Sequence, residues 1–237
     1  WLELGREAVL PVRLSPEALR RTEQRAVVLQ LERLMGYPMV RERAMRGQTR
    51  AFPKNAIIIN EGDRGDSLFV ILAGKVKVYV SDDDGREMIL DTYSAGDYVG
   101  EMSFDGRPRS ASVMTLEPTT CAVVTRDELR AAIAQNPDVA MTLISTLIDR
   151  ARIATDNVKN LALMDVYGRV ARLLLSLAKE DGGKLVVPEK MTQQDIADRV
   201  GASRDMISRI FKDLTIGGYV TIENRQITIN RKPPSRW

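Results

Sequence analysis

The chain has 237 residues, 44% hydrophobic and 28% charged, which suffices for two modest domains with separate cores. It holds no histidine and one cysteine, which excludes Ser-His-Asp catalysis, His-ligated zinc or haem, a four-cysteine iron–sulfur cluster and an internal disulfide. A net charge of +3 is too weak to argue for nucleic acid by itself.

The opening WLELGREAVLPVRL lacks a basic segment followed by an apolar one, so export is not expected, and the lone Cys121 fits a reducing cytoplasm. The chain starts at Trp1 without a methionine, so a few residues are expected to precede it. No run approaches the roughly 18 apolar residues needed to span a bilayer, and no membrane role is expected. Within an N-terminal segment 1–48, residues 15–48 read as helical, with Ser15-Pro16-Glu17 as a cap and Val27, Val28, Leu31 and Leu34 at helical spacing.

From Ala51 to Val124 the apolar period changes to 2. Strands are predicted at Ile57–Ile59, Leu68–Leu72, Lys75–Val80, Glu87–Tyr93, Ala111–Thr115 and Thr119–Val124, with glycine turns between them. Short strands with regular turn signals predict a jelly-roll or a related barrel over 49–135. After Asn136-Pro137 a long helix is predicted over 136–163. Ala140, Leu143, Leu147, Arg150, Ala154, Val158 and Leu161 recur at alternating spacings of three and four, a dimerisation seam of about three heptads interrupted only by Arg150. The competing reading packs this helix on its own barrel. Asp165 then precedes an amphipathic helix, Val166 to Ala178, which Asp181-Gly182-Gly183 is expected to end. Lys232-Pro233-Pro234 is expected to be a frayed terminus.

The stretch MTQQDIADRVGASRDMISRIFKDL carries the most specific pattern, inside a C-terminal domain predicted over 164–237. Thr192 and Asp195 form a capping box, Gly201 makes a turn, and Ser203 caps a second helix. Ile196, Ala197 and Val200 face Ile207, Ile210, Phe211 and Leu214. That leaves Arg204, Asp205, Ser208, Arg209 and Lys212 on the outward face. Arginine grips guanine O6 and N7 bidentately, and a carboxylate accepts from cytosine N4. Thr192, Gln193, Ser203 and Lys212 are placed for phosphates, which position without reading sequence. A hairpin follows: Tyr219–Ile222, a turn at Glu223-Asn224-Arg225, then Gln226–Ile229. Together these predict a winged helix-turn-helix on double-stranded DNA. The alternative is the solvated face of an ordinary helical hairpin.

EGDRGDSLFVILAGKVKVY, GDYVGEMSFDGRPRSASV, NLALMDVYGRVARLLLSLAK and TQQDIADRVGASRDMISRIFK together resemble the Crp–Fnr family, over residues 50–230. The resemblance implies an α+β fold: an antiparallel jelly-roll of the cyclic-nucleotide-binding type, a long dimerisation helix and a winged helix-turn-helix. It implies a homodimer on two DNA half-sites, with RNA polymerase as a partner. Arg204, Asp205 and Arg209 match the family's base-contacting positions, although Asp205 is one methylene shorter than the family's Glu.

Tyr98-Val99-Gly100-Glu101 ends a strand and opens a helical turn, whose amides around Gly100 suit an anion, and Arg109 suits a bidentate phosphate contact. The resemblance implies that Glu101 takes a ribose hydroxyl while Arg109 and Ser110 hold a cyclic phosphate. Otherwise Arg109 only pairs with Glu101. Three departures concern the effector. The loop from Glu101 to Arg109 is shorter than in cyclic-AMP-binding members. Ala154 stands where those members have an adenine-contacting Thr, with Thr155 beside it. Arg107 adds positive charge. Effector candidates are therefore Gly100, Glu101, Arg107, Arg109, Ser110, Arg150 and Thr155, and the expected effector is cyclic AMP or cyclic di-GMP, with no covalent cofactor, no metal and no catalytic residue.

Two other functions stay open: a cyclic-nucleotide regulatory subunit acting on a protein partner, and a jelly-roll enzyme of the cupin kind. The absent histidines remove the usual metal site of the second.

Overall fold

The computed structural model describes residues 49–234, so the helix expected over 15–48 lies outside the described residues. No helix among them is long and apolar enough to cross a membrane.

Eight strands build the N-terminal half: β1 (Thr49–Phe52), β2 (Ile57–Ile59), β3 (Ser67–Ala73), β4 (Lys75–Ser81), β5 (Glu87–Ser94), β6 (Tyr98–Val99), β7 (Ser112–Thr115) and β8 (Thr119–Thr125). They form two antiparallel sheets, ordered β1-β8-β3-β6 and β2-β7-β4-β5, a jelly-roll in which every neighbouring pair except the β4–β5 hairpin is non-consecutive in sequence. The apolar run of β3 follows from burial on both faces. Phe69 and Ile71 pack between the sheets with Ile59, Val76 and Val113, while Leu68 and Val70 pack with Tyr98, Val124 and the helices that follow.

Helix α1 (Arg126–Gln135) was not among the predicted elements, although Thr125 and Glu128 close a capping box at its start. Helix α2 (Asp138–Leu163) begins where Asn136-Pro137 predicts. Its predicted seam needs correction. Leu143 packs against the jelly-roll core, Ala140 is half-buried, and Arg150 reaches back to Tyr98 and Glu101. Leu143 and Arg150 therefore face their own barrel, while Leu147 between them stays exposed. The apolar surface left open combines the seam residues Leu147, Val158 and Leu161 with Met141, Ile144 and Ile148, which lie one residue on from the seam; all are at least 40% exposed.

Asp165 caps α3 (Val166–Leu177), its Oδ1 accepting from the Gly168 amide at 2.7 Å. Asp181-Gly182-Gly183 does not end this helix. Ala178 is already extended, and β9 (Lys179–Asp181) turns through Gly182-Gly183 into β10 (Lys184–Val187). Pairing of β10 with the wing explains the difference, because the sheet order is β11-β12-β10-β9 and Val187 is fully buried. The remaining elements are α4 (Gln193–Val200), α5 (Arg204–Ile216), β11 (Val220–Glu223) and β12 (Gln226–Ile229). One core joins them: Leu174, Val187, Ile196, Ile207, Leu214 and Ile227, each under 2% exposed, meet at its centre. Pro233 is buried against expectation, so the chain to that point is packed and not frayed.

Candidate effector pocket and DNA-reading face

Gly100 follows β6 at φ 95°, a conformation that a β-carbon resists. A Cβ there would lie 2.7 Å from Arg109 Nη1 and 2.9 Å from the Ser67 carbonyl, so the glycine admits the arginine. A 3₁₀ turn, Glu101–Asp105, comes next.

Arg109 is 7% exposed. Its amide donates to the Asp63 carbonyl at 2.8 Å, and its carbonyl accepts from the Gly62 amide at 2.9 Å. The guanidinium donates to the Ser67 carbonyl at 2.8 Å and to the Gly100 carbonyl. Burial pulls this guanidinium below its ordinary pKa, against the opposing carboxylates of Asp66, Glu101 and Asp63. It is a buried cation whose described hydrogen bonds go to backbone oxygens and not to a carboxylate, so its charge is available to an anion. The competing expectation that it pairs with Glu101 is not what the hydrogen bonds give.

Glu101 pairs instead with Arg150 on α2, Nη1 donating to Oε1 at 2.6 Å, with both side chains about 15% exposed. Arg150 Nη2 donates to the Tyr98 carbonyl at 2.7 Å. Its guanidinium lies 4.3 Å from the Tyr93 ring centroid and 4.4 Å from that of Tyr98. Burial lowers the Arg150 pKa, but Glu101 and the two phenols more than offset this, holding it above its usual value. Burial raises both phenols, with Arg150 opposing.

The other candidates sit differently. Ser110 is exposed next to Arg109. Arg107 is 84% exposed, its Nε donating to Asp105 Oδ2 at 2.6 Å. Thr155 lies on the exposed side of α2, its hydroxyl donating to the Ala151 carbonyl at 2.9 Å, and no described bond joins it to the pocket. The structure thus brings Gly100, Glu101, Arg109 and Arg150 together and leaves Arg107 and Thr155 outside. Tyr93 and Tyr98 were missed, because in sequence each is one more strand residue.

On the DNA-reading side the predicted caps are present. Thr192 Oγ1 accepts from the Asp195 amide at 3.1 Å, and the Asp195 carboxylate accepts the Thr192 amide at 2.7 Å. Gly201 takes the left-handed conformation, φ 64°, which reverses the chain between α4 and α5. Ser203 Oγ accepts from the Met206 amide at 3.2 Å. Arg204, Asp205, Ser208, Arg209 and Lys212 are all exposed on one face of α5, with Thr192 exposed and Gln193 half-buried at the start of α4. A groove between α4, α5 and the wing is lined by Thr192, Gln193, Arg204 and Arg225. Arg225 was missed as a site residue. It sits at the wing tip with φ 65° after Asn224 at 51°, the two-residue geometry that suits a twisted hairpin.

Charged side chains help to join the halves. The Arg169 guanidinium donates to the carbonyls of Met164 and Val200, both at 2.8 Å, which ties the end of α2 to the helix-turn-helix. Glu189 bridges Lys75 of β4 at 3.2 Å and Arg199 of α4 at 3.3 Å. Among the described residues no cluster of acids or cysteine could hold a metal.

Comparison with known proteins gives this architecture its place. A cyclic nucleotide-binding domain model matches residues 49–136, and a Crp-like helix-turn-helix domain model matches residues 168–233. The chain is 36% identical over 184 residues to the CRP-like cAMP-activated global transcriptional regulator of Mycobacterium tuberculosis, covering 76% of this chain and 82% of that protein. It is 33% identical over 187 residues to the cAMP-activated global transcriptional regulator CRP of Salmonella typhimurium, covering 75% and 87%. Among solved structures, the c-di-GMP responsive global regulator CLP of Xanthomonas campestris superposes with a TM-score of 0.69 at 25% identity, covering 79% of this chain and 96% of that one. FixK2 of Bradyrhizobium japonicum shares the fold at a TM-score of 0.65 and 24% identity, covering 78% and 92%. The chain belongs to the Crp–Fnr family, as a DNA-binding transcription regulator with a cyclic nucleotide-binding domain.

Proposed function

We propose that the protein is a homodimer whose grip on two DNA half-sites is set by cyclic AMP in the jelly-roll. The observation that carries this reading is the buried Arg109 bonded only to carbonyls, beside a Glu101 that is already linked through Arg150 to the long helix. The cyclic phosphate takes Arg109, Ser110 and the amides around Gly100, while a ribose hydroxyl donates to Glu101. A single buried arginine suits one phosphate, and the relatives at 36% and 33% identity are named as cAMP-activated.

Cyclic di-GMP is the second reading, favoured by the likeness to CLP. Its extra phosphate would engage Arg107, which is tied to Asp105 at the surface. Titration calorimetry with each nucleotide separates the two. Saturable binding of cyclic AMP alone supports the first reading, and heat with neither sinks the sensor.

Two α2 helices pair through the stripe of Met141, Ile144, Ile148 and Val158, which carries Thr155 toward the partner's side of the seam. Effector binding shifts that pairing and reorients the two α5 helices, which meet half-sites about one helical turn, roughly 34 Å, apart. Arg204, Asp205 and Arg209 read base edges. Thr192, Gln193, Ser203, Ser208 and Lys212 hold the backbone, and Arg225 adds a phosphate contact from the wing. RNA polymerase is the proposed downstream partner.

A further inference from the structure

Arg150 is held more elaborately than a seam residue or a simple ion pair requires. Its guanidinium is packed between two aromatic rings, at 4.3 Å and 4.4 Å, contributed by different strands: Tyr93 by β5 and Tyr98 by β6. Within its plane, Nη1 is spent on Glu101 and Nη2 on the Tyr98 carbonyl. Three elements of the jelly-roll thus converge on one side chain of α2. A flexible arginine needs no such enclosure to meet a carboxylate, and stacking fixes the plane of the fork and so the direction from which Glu101 is held.

We infer that Tyr93, together with Tyr98, is a positioning residue for the effector: it clamps the Arg150 guanidinium so that Glu101 is held in one rotamer, with one oxygen on Arg150 and the other turned to the ribose hydroxyl. Two consequences follow from a carboxylate having two oxygens. Arg150 and the effector share Glu101 without competing, so the clamp raises affinity by pre-organisation. Each also steadies the other, so effector binding tightens the hold of the jelly-roll on α2, which is the element expected to pair with a second chain. Tyr98 is 1% exposed and serves the core as well, so its removal would confuse folding with positioning. Tyr93 is only half-buried and is the member to test.

This inference rests on the cyclic-nucleotide reading of the pocket, and its test separates the two. The full chain is titrated with cyclic AMP as wild type, Tyr93→Leu, Tyr93→Phe, Arg150→Met and the Tyr93→Leu/Arg150→Met double variant, with thermal melts recorded without nucleotide. The clamp predicts that Tyr93→Leu weakens cyclic AMP between roughly 2- and 30-fold, the span of one cation–π contact. It predicts that Tyr93→Phe keeps wild-type affinity, because the ring acts and the hydroxyl does not. Tyr93→Leu should have no further effect in the Arg150→Met background, in affinity or in melting temperature. Equal affinity in Tyr93→Leu and wild type, equal loss in the Phe and Leu variants, or additive effects in the double variant would each overturn the clamp. No binding by wild type would overturn the sensor reading and with it the role in affinity, while the melts still decide whether Tyr93 and Arg150 act as a unit.

Discussion

The effector pocket and the DNA-reading face handle their polar side chains in opposite ways. In the pocket, Arg109, Glu101 and Arg150 are largely buried and each is already bonded inside the chain, to carbonyls or to one another. On α5, Arg204, Asp205, Ser208, Arg209 and Lys212 stand exposed on a helix whose other face is fully committed to the core. The reader is ready before its ligand arrives, whereas the sensor has its groups spent on internal bonds that the effector must join or replace. A ligand that favours one arrangement of those internal bonds over another shifts the equilibrium between them by its differential affinity.

Substitutions on the two sides should therefore fail differently. Arg109→Leu removes the proposed phosphate partner and leaves two carbonyls without their donor. Calorimetry should show cyclic AMP weakened by about 2–5 kcal/mol, with effector-free duplex binding unchanged. Loss of both together would mean that the pocket is only structural. Arg204→Ala should cost about 1–3 kcal/mol on a selected duplex and relax preference at one base pair, with cyclic AMP affinity intact. Uniform weakening across sequences would place Arg204 on the phosphate backbone instead. The stripe on α2 is the shared element. Ile148→Glu should raise the dimer dissociation constant at least tenfold, about 1.4 kcal/mol, as read by sedimentation. An undisturbed dimer would place the seam elsewhere. The smallest effect is expected at Cys121, whose thiol burial pushes up to about 12. It should not react with thiol reagents at pH 8 in the folded protein, and rapid labelling would show that the jelly-roll core opens.

The same asymmetry explains what the sequence made legible. The helix-turn-helix could be read from periodicity alone, because a surface helix separates its inward and outward residues every few positions and caps announce its ends. Ile207, Ile210, Phe211 and Leu214 are buried as that spacing requires. In the pocket, no local pattern links Tyr93, Tyr98, Glu101 and Arg150, which come from a strand, a second strand, a turn and a helix 49 residues beyond Glu101. The chemistry of arginine beside a glycine turn pointed to Arg109, resemblance supplied the role of Glu101, and nothing supplied the stacking rings. Heptad counting on α2 could not separate two roles, because Leu143 and Arg150 satisfy the period while serving the barrel and Leu147, Val158 and Leu161 satisfy it while staying exposed. Hairpin β9–β10 was lost for a related reason: its glycines signal a turn equally well after a helix or between strands, and pairing with the wing decided which.

The central claim is that effector and DNA are coupled, and one measurement addresses it most directly. Fluorescence anisotropy on a duplex selected from a random pool should give at least fivefold tighter binding by the full chain with saturating cyclic AMP than without, about 1 kcal/mol of coupling. An identical dissociation constant with and without cyclic AMP, in a protein that calorimetry shows to bind it, would contradict the account.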